Sequence, residues 1–235
     1  MGYKLLSVNS NPKIDKSNKV SEKYWSCIMH LRPINTKICP YQDIAKCKEA
    51  CLNTAGLGGV YPSIQKARQK KTELFLNDRD QFMQVLIKDI HTFIRACKRK
   101  DKLPAIRLNG TSDIQWEKID IEGQNIFEMF PQIQFYDYTK IPTRKVDNIP
   151  NYHLTWSYSE ANEKYAKMFD KVPNNKAVVF KNKILPTMFK GLKVIDGDTH
   201  DMRFLDKPNS VVGLKAKGKA RQDKTGFVIN VIQLA

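Results

Sequence analysis

AIRLNG (105–110), IQFYDYT (133–139), YHLTWS (152–157), AVVF (177–180), LKVIDG (192–197) and SVVGLK (210–215) recur as short apolar runs through the second half of the chain. Each has the length and the β-branched or aromatic enrichment of a strand. Segments with helical character, 113–130 and 159–169, separate some of them. Strands alternating with helices predict parallel βαβ units, so the fold class is α/β. Six or seven such strands make an open sheet or a partial, TIM-like barrel. Residues just past the strands then gather on one rim, where such folds place their sites.

Upstream, KLLSV (4–8) followed by NSNPK reads as a strand and a turn, and YWSCIMHL (24–31) as another strand. Ser63 is placed to cap a helix running to about residue 76, and Asn77 or Asp78 to cap the next. In that second helix Phe82, Val85, Leu86, Ile90, Phe93, Ile94 and Cys97 fall three and four residues apart, an amphipathic stripe. Between strand and helices, residues 33–62 lose this periodicity. ICPYQDIAKCKEACLNTAGLGGVYP is rich in Cys, Gly and Pro and reads as a long functional loop after the N-terminal strands, with one helical turn near 43–50. Residues 222–235 read as a C-terminal extension or a final strand. No linker or internal repeat divides the chain, so 1–235 is expected to form one domain.

The 235 residues are enough to bury a core, and 41% hydrophobic content excludes disorder for most of the chain. No run approaches eighteen apolar residues, and MGYKLLSVNSNPK lacks a signal peptide's apolar stretch. The expectation is a soluble, cytoplasmic protein without a membrane partner. Forty Lys and Arg against twenty-four acids give a net charge of +16, which favours anions and nucleic acid. KARQKK (66–71) and RACKRKD (95–101) lie on or beside helices, where basic residues also simply face water, and no helix-turn-helix or RNP-like motif accompanies them. In GLKAKGKAR (213–221), period-two spacing on a strand puts Lys215, Lys217, Lys219 and Arg221 on one face. Such a face suits either a phosphate-bearing partner or a charged edge strand. Oligomeric state is not specified.

Five cysteines without a secretion signal argue against a disulfide framework. Three form the constellation Cys39-x7-Cys47-x3-Cys51. Thiolates are soft ligands for zinc, copper(I) and iron–sulfur clusters. Three from one loop can bind three irons of a [4Fe–4S] cluster and leave the fourth open. Zinc would need a fourth ligand, for which His30 or Cys27 is available; the plainest alternative is three unrelated thiols. Cys27 and Cys97 sit in apolar runs and read as core. The strand ends supply Asn109, Gly110, Thr111, Ser112 and Asp113, then Asp137, Tyr138, Thr139 and Lys140, then Thr155, Ser157, Ser159 and Glu160. Asn, Ser and Thr can grip the amino, carboxylate and ribose groups of a nucleotide-like ligand, although turn and cap chemistry uses the same residues. IDGDTHDMRFLD (195–206) gathers Asp196, Asp198, His200, Asp201 and Asp206, either for a hard cation or acid–base work, or for pairing with nearby lysines.

LSVNSNPK (6–13), CP-x6-C-x3-C from Cys39, KARQKKTELF (66–75), FYDYTK (135–140) and YHLTWSYSE (152–160) together resemble the phage "gene product 88" family, over about Leu5 to Phe227. Proteins of this kind are in turn similar to radical S-adenosylmethionine (SAM) enzymes, which place a three-cysteine loop after the first strand of a partial α/β barrel. Those enzymes usually space their cysteines x3 and x2 with an aromatic residue before the last; here the spacing is x7 and x3, with Ala50 at that position. The resemblance implies that Cys39, Cys47 and Cys51 ligate a [4Fe–4S] cluster whose open iron chelates SAM. SAM would then lie between the cysteine loop and Asn109, Gly110, Thr111, Thr155 and Ser157, with the substrate near the catalytic candidates Asp137 and Asp198. As a phage protein the chain would act in the host cytoplasm. The competing expectation is a non-catalytic protein stabilised by zinc or a cluster, binding nucleic acid or a protein partner through its basic faces.

Overall fold

Asp78 caps the long amphipathic stripe, its side chain accepting from the Gln81 N–H at 3.0 Å, and the helix it starts carries Phe82, Leu86, Ile90, Phe93 and Cys97 inward. In the computed structural model, which describes residues 4–8 and 11–231, this helix is α4. The elements in chain order are β1 (Leu6–Ser7), α1 (Pro12–Val20), β2 (Tyr24–Met29), α2 (Leu57–Val60), α3 (Pro62–Asn77), α4 (Arg79–Arg99), β3 (Leu103–Arg107), α5 (Ile126–Met129), β4 (Gln134–Thr139), β5 (Tyr152–Ser157), α6 (Glu163–Ala166), β6 (Lys176–Phe180), β7 (Met188–Phe189), β8 (Leu192–Asp196), β9 (Ser210–Lys215) and β10 (Val228–Ile229). Among the described residues no helix is long and apolar enough to cross a membrane.

The strands form one mixed sheet in the order β1-β2-β3-β4-β5-β6-β9-β8-β7, and β10 pairs with β6 beyond the reach of β5. From β2 through β6 and on to β9 and β8 all neighbours are parallel. The α/β expectation holds at this level, but the sheet does not close, and a TIM-like barrel is not what the strand order describes. Succession is simple from β1 to β6; it then reverses through β9, β8 and β7. Both edges are two-residue strands paired antiparallel. The β7–β8 edge is a hairpin turned by Lys190 and Gly191, both at positive φ as its tight turn requires.

Period-two alternation gives the sheet two different faces. Cys27, Met29, Ile106, Phe135, Tyr152 and Leu154 join the α4 stripe, Phe75, Trp116 and Phe127 in one apolar cluster. Each such side chain contributes about 1.5–3 kcal/mol on burial. Here Cys27 and Cys97 are core residues, as expected. The opposite face is polar: Ser26, Arg107, Tyr136, Tyr138, His153 and Thr155 point that way, under α1 and the short turn Arg203–Leu205.

Several sequence expectations are corrected. NSNPK is not simply a turn: Asn9 and Ser10 lie outside the described residues, while Asn11 accepts from the Lys13 and Ile14 N–H groups and, with Pro12 at the first helical position, starts α1. Segments 113–130 and 159–169 each hold only a single α-turn, α5 and α6, and the first adds a 3-10 turn at Trp116–Lys118; neither carries an apolar stripe long enough to stabilise more. The basic strand over 213–221 stops at Lys215. Ala216 and Ala220 turn inward against Ala50, Phe227 and Val228, and burying them breaks the alternation.

Candidate metal centre and rim

The cysteine loop joins Met29 at the end of β2 to α3 and has only turns and short helical segments. It is fixed by one apolar side chain near each cysteine. Ile38 enters the core under α4, Ala45 the cluster of Trp156, Tyr158 and Phe180, and Ala50 that of Ala216 and Phe227. Its polar ties run to the carboxyl ends of the parallel strands. The Asp113 N–H donates to the Ile38 carbonyl at 2.9 Å, Ser159 Oγ to the Ala45 carbonyl at 2.9 Å, and Cys39 Sγ lies 3.9 Å from the Thr111 carbonyl. The position expected from sequence, a loop after the N-terminal strands, is where the loop lies.

The three thiols are free and half-buried. Burial pushes the Cys39 thiol well up, and Asp113, Cys51 and Cys47 add to that. Burial also raises Cys47, opposed by Lys140, and raises Cys51, opposed by the Asn53 N–H, Lys140 and Arg68. Lys140 is half-buried, its ammonium in the fields of Cys47, Asp113, Cys51 and Cys39, and it donates to Ser157 Oγ at 2.8 Å. Among the described residues no group of three or more His, Cys, Asp or Glu side chains is arranged to hold a metal ion. The three cysteines share one loop as free thiols and are not drawn around one ion. Of the fourth ligands considered, Cys27 faces Cys97 in the core, and His30 stands 3.3 Å from Asn11 Nδ2. Burial, Arg68, Arg107 and Lys71 push the His30 imidazole down to about 3, so it is neutral.

The rim residues divide. Asn109 Nδ2 donates to the Ile114 carbonyl and to Asp137, while its Oδ1 accepts from Ser112 Oγ, the Ile114 N–H and Trp116 Nε1. Its side chain thus fixes the loop after β3. Gly110 has no room for a side chain: a Cβ there would lie 2.5 Å from the Met29 carbonyl. Thr111 Oγ1 donates to the Leu31 carbonyl at 2.6 Å. Ser157 receives Lys140, whereas Thr155 is fully buried with a hydroxyl that has no partner.

The two catalytic candidates share no partner. Asp137 lies on the α4 side of the sheet, accepting from the Asn109 N–H at 2.7 Å and Tyr152 Oη at 3.0 Å. Burial pushes its carboxyl up to about 7, against the Asn109 N–H, Arg107 and Arg144. A folded pKa above the unfolded value means stability that is full below about pH 4 and lost as pH rises toward 7, by up to about 1.4 kcal/mol per pH unit. Asp137→Asn is expected to flatten that slope, read from urea midpoints between pH 4 and 7; profiles parallel to the wild type would contradict it. Asp198 instead pairs with Lys217 at 2.7 Å beside the Lys215 N–H.

Asp196 accepts from the Asp198 N–H, and two other acids of 195–206 are likewise taken by cations. Asp201 meets Arg107 at 2.8 Å and Lys13 at 3.4 Å; Asp206 meets Arg203 at 3.2 Å and His200 at 3.7 Å. Pairing with cations, the plainer expectation, accounts for them. Sequence reasoning named Tyr138 and Lys140 only as polar residues of a strand end and passed over Arg107, His153 and Arg203. The available signal was an arginine inside the otherwise apolar AIRL.

Compared with known proteins, residues 4–231 match the family model described as Gene product 88. No curated protein and no solved structure matches.

Proposed function

The chain belongs to the Gene product 88 family, and from the site it builds we propose an iron–sulfur protein of phage origin, with a [4Fe–4S] cluster on Cys39, Cys47 and Cys51 and SAM at the open iron. The observation that carries this reading is three half-buried free cysteines on the one loop after β2, each close in sequence to a side chain anchored in the core. Soft donors of one kind, in a setting from which Ile38, Ala45 and Ala50 exclude water, fit a cluster. Half-buried Lys140 and the Arg68 guanidinium offset the negative charge that three thiolates would bring.

Bound there, the cluster would supply one-electron chemistry and an iron open to the amino and carboxylate groups of SAM. The chain's own residues have separable tasks. Cys39, Cys47 and Cys51 give up their protons on binding, so cluster uptake is favoured as pH rises. Lys140 ties the loop's charge to Ser157 on β5. Asn109 and Asp137 hold the 109–116 loop in place, whereas Thr155, paired with Tyr138, points to the face opposite α4 and away from this loop. Anoxic incubation with SAM and a reductant is expected to yield 5′-deoxyadenosine; no product and no SAM binding would remove SAM and leave the cluster to be judged on iron content.

A second reading has one specific support. Arg32, Lys66 and Lys70 line a cleft of about 560 Å³ beside the cysteine loop, with Gln65 and Gln69. A non-catalytic protein stabilised by zinc or a cluster would use those cations on nucleic acid. Three phosphate contacts give a log–log salt slope of roughly −3. Binding insensitive to salt would end this reading.

A further inference from the structure

Polar groups in an interior are nearly always hydrogen-bonded, so a run of buried donors without partners asks for a ligand. Among the described residues five such donors share one place, together with Asp201 Oδ1, Asp206 Oδ2 and Arg203 Nη1, which have ion-pair partners but no hydrogen bond. Arg107 Nε, Tyr138 Oη, His153 Nε2, Thr155 Oγ1 and Arg203 Nε are all buried without a partner, and all belong to the sheet face opposite α4 or to the turn that covers it. They form one patch. The Arg107 guanidinium stacks on the Tyr138 ring at 4.6 Å, Tyr138 and Thr155 are paired across β4 and β5, and His153, two residues before Thr155, lies in the field of Arg203.

The charge of the patch favours one sign. Lys13, Arg107 and Arg203 bring three cations, against the carboxylates of Asp201 and Asp206. Each guanidinium spends part of its fork on those acids: Arg107 Nη1 on Asp201, Arg203 Nη1 on Asp206, and Arg203 Nη2 on the His200 carbonyl and ring. Nε is left on both, and the Tyr138 and Thr155 hydroxyls on the same face are left as well. Guanidinium nitrogens and hydroxyls are the donors that recognise phosphate and carboxylate oxygens. Lys13 and His200, whose side chains are 21% and 28% exposed, mark where the patch meets solvent.

We propose that this face binds the oxyanion group of a small ligand, a phosphate or a carboxylate, held by Arg107 Nε, Arg203 Nε, Tyr138 Oη and Thr155 Oγ1. The site needs no cluster, so it stands or falls separately from the cysteine loop. The test is thermal unfolding of the full chain at constant ionic strength, with chloride replaced stepwise by inorganic phosphate in one arm and by acetate in the other. A saturable rise in melting temperature is expected in one arm, and the responding arm says which oxyanion fits. Thr155→Val removes an unpartnered hydroxyl and no charge. It should melt no lower than wild type without anion, yet bind the anion roughly tenfold more weakly or worse. Tyr138→Phe should weaken binding likewise and serves if the valine variant does not fold. No saturable effect in either arm would mean that water alone meets these groups, and would overturn the proposal. So would an equal response in the wild type and both variants, the result expected of anions attracted only by the net charge of +16.

Discussion

Replacing Asp201 by Asn will cost the fold about 3–5 kcal/mol, because it leaves a buried arginine without its counter-charge. The Asp201 carboxylate has no exposure to solvent and meets Arg107 at 2.8 Å and Lys13 at 3.4 Å, while its N–H donates to Ser17 Oγ at 2.7 Å. One residue thereby ties α1, β3 and the Arg203 turn together. Measured as a urea midpoint at pH 7, the loss is a large part of a typical domain's stability; a change below about 1 kcal/mol would contradict it. The same contact sets an acid limb. Burial alone would raise the Asp201 pKa, but Arg107, Lys13 and Arg203 together hold it down at about 2. A depressed folded pKa contributes stability above the unfolded value, about 3.9, and loses it as pH falls toward 2. Asp201→Asn should therefore lose less stability than wild type between pH 4 and 2.

The second large effect separates the five cysteines. Cys39→Ser, Cys47→Ser and Cys51→Ser are each expected to lose most of the iron that the wild type retains after anoxic reconstitution, since a cubane needs its thiolate ligands. Cys27→Ala and Cys97→Ala should keep it. Those two thiols are at most 1% exposed and pack beneath α4, so removing either costs about 1 kcal/mol or somewhat more in stability and nothing in iron. Iron retained in all five variants would assign the metal elsewhere; iron lost equally in all five would make the effect one of folding.

The fold was legible where period and length agree. Phe82 through Cys97 admit only a helix, and Ser210–Lys215 is a strand with the bounds its apolar run suggests. Strand order was less accessible: local patterning records that LKVIDG and SVVGLK are strands, but not that β9 adds to β6 before β8 adds to β9. The stretch after Lys215 misled because period-two spacing of lysines is also produced by a turn that buries Ala216 and Ala220. At the site, the cysteine loop was plain from composition. The separate duties of Asn109, Asp137 and Thr155 were not, since all three are polar residues at or near strand ends and only their partners distinguish them. Arg107 and Asp201, ninety-four positions apart, give no local sign of pairing.

The most direct measurement is iron and acid-labile sulfide in wild-type protein prepared without oxygen. A cubane on Cys39, Cys47 and Cys51 predicts brown protein with about four of each per chain. Colourless protein that takes up neither, or that holds stoichiometric zinc on the same three cysteines, would contradict it.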